Sequence, residues 1–147
     1  MQTEPLDRNE VRDNFFYFID IQTRWSDNDQ YGHVNNSIYL SLMDAVVMRF
    51  LMAEHNIDVK HGEFRTFTVE NMCRYHHPIA FPQIVECGLR VGKLGNSSIR
   101  YETGLFSDQI PTAAATAYFV DVCVDPVSER PVEIPAALRR ILEPITR

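Results

Sequence analysis

The stretch SIYLSLMDAVVMRFLMAE, from Ser37 to about Glu54, decides the fold of this chain because it predicts one long apolar helix without Gly or Pro. Most of its residues are apolar, so only Ser37, Ser41 and Asp44 form a narrow polar stripe. A helix that is hydrophobic nearly all round is typically buried. Asp44 and Arg49 interrupt the run, which argues against a membrane span. The residues that follow the 3,4 spacing of one face are Tyr39, Leu42, Met43, Val46, Phe50 and Ala53.

The sequence on either side of this helix predicts strands that can enclose it. Dense aromatic and β-branched residues favour the first strand, and alternation of apolar and polar residues favours the later ones. The predicted strands are 15–25, 67–75, 85–91, 99–105 and 112–124. Pro135 is suited to begin a short closing helix, Ala136–Leu142. This order predicts an α+β fold in a single domain, 1–147, with an antiparallel sheet wrapped around one long buried helix.

Composition and charge exclude several classes of protein. The chain has 147 residues, 45% of them hydrophobic and 23% charged, as in a globular domain with one core. Its net charge of −6 offers no basic face for nucleic acid. The three cysteines lack the paired spacing of a zinc site, which favours free thiols in a reducing compartment. Residues 1–13 are polar, so we expect a frayed lead-in, no signal peptide, no membrane partner and a cytoplasmic protein.

The segment from Asp27 to Asn36 carries several reactive groups immediately before the predicted helix. The first turn of a helix has unpaired N–H groups and the positive end of the helix dipole, which stabilise a carbonyl oxygen that gains negative charge. A nearby carboxylate can activate water or attack the carbonyl directly. This pattern predicts acyl transfer.

Two other interpretations of the segment need no catalysis. Asp and Asn are common caps before a helix, and Gly32 supplies a left-handed turn, so on spacing alone a structural role is the commoner outcome. Asp27, Asp29 and Gly32 also match the first, third and sixth positions of a calcium loop. Ile38 stands where that loop needs Glu, which excludes the calcium interpretation.

The run RWSDNDQYGHVNNSIY, residues 24–39, resembles the signature of hotdog-fold thioesterases in the 4-hydroxybenzoyl-CoA and acyl-ACP thioesterase superfamily. Three later stretches are also similar to that family, and the resemblance spans about residues 15–142. They are RYHHP at 74–78, RVGKLGNSSIRY at 90–101 and RPVEIP at 130–135.

The resemblance implies hydrolysis of an acyl-CoA, or less readily an acyl-ACP, to a carboxylic acid and a thiol. Asp29 matches the family's catalytic carboxylate, acting as general base or nucleophile, and Asn36 matches the residue whose backbone N–H polarises the thioester carbonyl. Family members differ at His33, so we interpret it as an orienting or structural residue more readily than as a base. Tyr31 stands where one branch of the family has Asn.

The remaining candidates for substrate binding are Gly32, Asn35, Tyr39, Arg90 and Lys93. Asn35 orders water or caps the helix, and Tyr39 lines an acyl pocket or fills core. Arg90 and Lys93, beside the predicted hairpin, are placed to meet CoA phosphates, although exposed sheet faces often carry such charges.

Two adjacent histidines, His76 and His77, are expected to point to opposite faces of a strand end and to serve as turn residues, not metal ligands. Glu63 is kept as a reserve carboxylate. No metal and no cofactor are predicted, since CoA would be part of the substrate. A homodimer or homotetramer follows from the resemblance. A non-catalytic acyl-CoA-binding module and an acyl-thioester hydratase or dehydratase remain as alternatives.

Overall fold

Five antiparallel strands form one sheet in the order β1-β3-β4-β5-β2, and a long helix lies across one face. This computed structural model describes residues 6–147. The first five residues lie outside it, and with them part of the predicted lead-in and part of the segment that argued against a signal peptide. The strands are β1 Tyr17–Gln22, β2 Arg65–Tyr75, β3 Ile84–Leu94, β4 Ser98–Phe106 and β5 Ala115–Val124. The helices are α1 Asn36–Met48, which continues as a π-helical segment Arg49–Glu54, and α2 Ala136–Leu142.

The predicted long helix is confirmed, and one side of it packs into the sheet. Its buried side chains contact the helix-facing residues of the central strands, and burying each large apolar side chain contributes roughly 1.5–3 kcal/mol. The opposite flank is open, because Ser37, Ser41, Asp44 and Met52 are exposed. By length and composition alone the stretch Asn36–Glu54 could span a membrane, a property that core helices of soluble proteins share. The buried side chains of the helix are Tyr39, Leu42, Met43, Val46, Val47, Phe50 and Leu51.

The outer face of the sheet is covered by residues 6–16, so the expectation of a frayed lead-in is wrong for this part of the chain. Leu6 and Phe15 are buried there against Phe106. The ring of Phe15 lies over Gly88 and Gly104, which face each other across β3 and β4. A Cβ at Gly104 would come within 2.8 Å of that ring, so only glycine leaves room for it.

The topology brings the end of one edge strand to the start of the helix. β2 pairs only with β5, and its last residue, Tyr75, lies at the same end of the sheet as the N-terminus of α1. The Tyr75 hydroxyl donates a hydrogen bond to the Asn36 carbonyl over 3.0 Å. The segment from Asp27 to Asn36 therefore lies beside this end of β2.

Candidate active site

A tight hairpin turn positions the candidate carboxylate. Asn28 and Val34 form an isolated antiparallel bridge, and the Asp29 N–H donates to the His33 carbonyl over 2.8 Å. The Gly32 N–H closes the turn on the Asp29 carbonyl, and Gly32 has a φ of +78°. A three-residue hairpin loop with glycine in the left-handed region has this pattern. The turn interpretation of the motif is thus correct, and it leaves the Asp29 side chain in position for chemistry.

The two aspartates of the motif have different environments. Asp27 is buried, and its oxygens accept hydrogen bonds from the backbone N–H of Arg24 at 2.7 Å and from the Arg24 guanidinium at 2.8 and 3.1 Å. Burial raises the pKa of the Asp27 carboxyl, but these hydrogen bonds and the Arg24 charge outweigh it, and the pKa is lowered overall. Asp27 is therefore a fixed structural anion that holds the entry to the turn.

Asp29 is half-buried and keeps one carboxylate oxygen available. Its Oδ1 accepts a hydrogen bond from the Tyr31 N–H at 2.8 Å, which fixes the rotamer. Within residues 6–147 the other oxygen accepts no hydrogen bond. A carboxylate that is oriented through one oxygen can use the second to accept a proton or to attack an electrophile.

The start of α1 leaves a single backbone donor for an incoming oxygen. The Asn35 side chain caps the helix, accepting hydrogen bonds from the Ser37 N–H and hydroxyl at 2.9 Å each. The Ile38 N–H donates to the Asn35 carbonyl. Among the described residues the Asn36 N–H has no acceptor, although it lies at the positive end of the helix dipole. Asn36 thus presents the free N–H that an oxyanion site requires.

These groups share one open cavity of about 360 Å³. It brings together four of the predicted residues, Asp29, His33, Asn36 and Tyr39. Gly32 and Asn35 shape the turn and the helix cap without lining the cavity. The full lining is Asp29, His33, Val34, Asn36, Tyr39, Tyr75, His76, His77 and Pro78.

Residues 75–77 also line the cavity, a contribution that was not predicted from the sequence. The N–H groups of His76 and His77 both donate to the Ala114 carbonyl, at 2.8 and 3.0 Å, so two residues oppose one as in a β-bulge. Regular alternation is broken there, and both histidines line the same cavity, which their predicted placement on opposite faces of a strand end did not anticipate. Their predicted role as turn residues, and not as metal ligands, stays a prediction. His76 hydrogen-bonds the hydroxyl of buried Thr116 at 3.0 Å. Burial, then the nearby positive charges, lowers the pKa of His76, which favours its neutral form. The proline that ends RYHHP, Pro78, was the only signal in the sequence that this strand end is irregular.

The two basic candidates lie elsewhere. Arg90 is 1% exposed on the outer face of the sheet, where its guanidinium binds Glu10 and Glu102, so the expectation that it meets CoA phosphates is corrected. Lys93 is exposed near the β3–β4 turn and pairs in register with Arg100. That register lies about 17 Å along β4 from the sheet end that carries the cavity.

Within residues 6–147, no group of three or more His, Cys, Asp or Glu side chains is arranged to hold a metal ion. The prediction that the protein uses no metal and no cofactor stays a prediction.

The chain is similar to several known proteins in sequence and in fold. Residues 23–142 match the model of the thioesterase-like superfamily. The PA5185 protein of Pseudomonas aeruginosa strain PAO1 is 43% identical, with a TM-score of 0.87 over 92% of this chain and 95% of that one. A thioesterase from Thermus thermophilus, solved with coenzyme A and Zn, is 28% identical, with a TM-score of 0.77 over 90% and 95%.

More distant similarity extends to a 1,4-dihydroxy-2-naphthoyl-CoA thioesterase from Synechocystis, with a TM-score of 0.78 over 86% of this chain and 94% of that one. At 12% identity this likeness shows the fold alone. No curated protein matches the sequence.

Proposed function

We propose, from the premise that this chain belongs to the thioesterase-like superfamily and has its hotdog fold, that it hydrolyses acyl thioesters of coenzyme A with Asp29 as the catalytic carboxylate. One observation carries the proposal: Asp29, which has one carboxylate oxygen without a hydrogen bond, and Asn36, whose N–H has no acceptor among the described residues, line the same cavity. A base or nucleophile beside an oxyanion donor is the minimum equipment for acyl transfer.

The reaction follows from this arrangement. The thioester carbonyl oxygen accepts a hydrogen bond from the Asn36 N–H, and this bond polarises the carbonyl group. Asp29 takes a proton from a water that adds to this carbon, or adds to it directly and forms an anhydride that water then opens. The C–S bond breaks in either route, and the thiolate leaves and is protonated to the thiol. His33, which is exposed and lines the cavity, serves as an orienting residue.

Coenzyme A is the preferred carrier because the 28%-identical Thermus thermophilus thioesterase was solved with coenzyme A. Acyl-ACP is the second carrier to be tested. A panel of acyl-CoA and acyl-ACP substrates, assayed by thiol release, tests both. Turnover of a subset of acyl-CoAs supports the proposal. Binding of acyl-CoA without turnover would support the non-catalytic binding module instead.

The catalytic assignment is tested with Asp29→Asn, which retains the acceptor for the Tyr31 N–H and so leaves the turn intact. We expect kcat to fall by at least about a hundredfold with little change in thermal stability. Asp125→Asn is the matched control, because Asp125 also accepts backbone N–H groups two and three residues ahead, at the far end of the sheet. Normal activity of Asp29→Asn would exclude the mechanism.

We also propose that two copies associate through β2. This strand is an edge, most of its residues are exposed, and Phe67 and Val69 are 40% and 64% exposed. An unpaired edge that carries apolar side chains is a surface that association would cover. Analytical ultracentrifugation distinguishes monomer, dimer and tetramer, and a monomer at micromolar concentration would refute the proposal.

A further inference from the structure

Tyr75 connects the edge of the sheet to the first residue of α1, and we infer that this connection positions the Asn36 N–H for the developing oxyanion. The Tyr75 hydroxyl donates to the Asn36 carbonyl at 3.0 Å, and both residues line the cavity. The inference rests on the proposed function, because it assigns Tyr75 a role only if the Asn36 N–H binds a thioester oxygen. Tyr75 is a positioning residue: its hydroxyl is already engaged with the backbone.

The first residue of a helix needs such an anchor. The N–H of Asn36 makes no hydrogen bond within residues 6–147, and its side chain is exposed. The Asn35 side chain accepts a hydrogen bond from the Ser37 N–H and not from the Asn36 N–H. Helix ends fray, whereas an oxyanion donor must stay 2.7–3.1 Å from the charged oxygen. The Tyr75 bond adds to the helix's own hydrogen bond an anchor on the Asn36 carbonyl that comes from the neighbouring strand.

Tyr75 is held firmly enough to act as an anchor. Its backbone pairs with Ala115 of β5, and its ring packs edge-to-face on buried Tyr39 with centroids 5.0 Å apart. Partial burial, followed by the influence of Cys73, raises the pKa of the Tyr75 phenol. The hydroxyl therefore remains protonated, and able to donate, throughout the neutral pH range.

The test compares Tyr75→Phe with Tyr118→Phe. The first variant removes only the hydroxyl and keeps the ring against Tyr39. Tyr118 is the matched control: it is also a strand tyrosine, and its hydroxyl donates to Glu70 instead of to the helix. Each variant is assayed for kcat and KM with the best acyl-CoA found by thiol release. Binding of the corresponding thioether, which has no carbonyl oxygen to become negative, is measured by calorimetry.

We expect Tyr75→Phe to lower kcat about tenfold, the effect of one lost hydrogen bond, with KM and the thioether Kd within about twofold of wild type. Tyr118→Phe should retain wild-type kcat. An unchanged kcat in Tyr75→Phe, or an equal loss in thioether binding, would overturn the inference while thioesterase activity of the wild type stands. Absence of thiol release by the wild type would overturn the proposed function and the inference together.

Discussion

Replacing Glu10 by Gln tests whether the ionic network under residues 6–16 holds the fold together. Glu10 Oε1 accepts one N–H of the Arg90 guanidinium at 2.9 Å, and Oε2 accepts another at 2.9 Å together with the Asn14 amide at 2.8 Å. Gln can present only one acceptor, and the Oε2 position serves two donors. The amide nitrogen of Gln must then face an Arg90 N–H, so one charge-assisted hydrogen bond is lost. The buried Arg90 guanidinium is left with a single carboxylate partner, Glu102.

The expected loss is about 3 kcal/mol in the free energy of unfolding, since breaking a buried ion pair from one side costs roughly 3–5 kcal/mol and Gln retains part of the contact. For a chain of this length that corresponds to a drop of about 10 °C in melting temperature. Glu86→Gln is the matched control, because its pair with Arg12 is about one-third exposed and such pairs contribute roughly 0–1 kcal/mol. Thermal and urea unfolding of both variants give the comparison.

The stability difference should also depend on pH. Burial raises the pKa of the Glu10 carboxyl, but the bonds from Arg90 and Asn14 outweigh it, and the pKa lies below its ordinary value of 4.5. The wild type therefore keeps this stabilisation above that value and loses it as pH falls through the lower folded pKa. The gap between wild type and Glu10→Gln should be constant near neutrality and shrink in acid. A gap no larger than that of Glu86→Gln, or one that widens in acid, would refute the reasoning.

Three further perturbations follow from the structure. Burial, and then the charge of Asp44, raises the pKa of Asp121, although a hydrogen bond from Thr68 acts in the opposite direction. The protonated carboxyl therefore stabilises the wild type in acid, and this stability is lost as pH rises through the raised pKa. Asp121→Asn should melt at a higher temperature than the wild type at pH 7 but not at about pH 4. Gly88→Ala should lose about 1–3 kcal/mol in urea unfolding, because its Cβ would lie within 2.9 Å of the Phe15 side chain. Lys93→Ala should leave KM for acyl-CoA unchanged, and a rise in KM would restore Lys93 as a phosphate ligand.

Elements with strong local patterns could be predicted from the sequence. The long helix was predicted from Ser37 to about Glu54 and observed over Asn36–Glu54, and the closing helix was predicted with the observed bounds. The hairpin of β3 and β4 was also anticipated, because its turn residues and alternation lie close together in the chain. The order of strands was not predictable, since the pairing of β2 with β5 joins segments about fifty residues apart.

Within the site, the sequence could identify the turn and the helix start but not the opposite wall. Asp29 and Asn36 are seven residues apart, so one local motif fixes both. Tyr75 and the two histidines reach the cavity only because β2 runs back along the sheet to the helix N-terminus. Both histidine N–H groups donate to the Ala114 carbonyl, and this irregular pairing is something that strict alternation could not anticipate.

The misassignment of Arg90 has a physical cause that reaches beyond one residue. A sheet with one covered face should carry charges on the other, and Arg90 alternates with the helix-facing residues of β3 as a solvent-facing residue would. Yet Gly88 and Gly104 are cross-strand neighbours on that outer face. Without side chains, the pair leaves a shallow groove in the sheet surface, which a solvent-exposed face does not require. The ring of Phe15 fills the groove, and Glu10, eighty residues from Arg90, neutralises the charge. Paired glycines beside a charged strand residue therefore indicate a covered face, and the segment before β1 belongs to the folded domain.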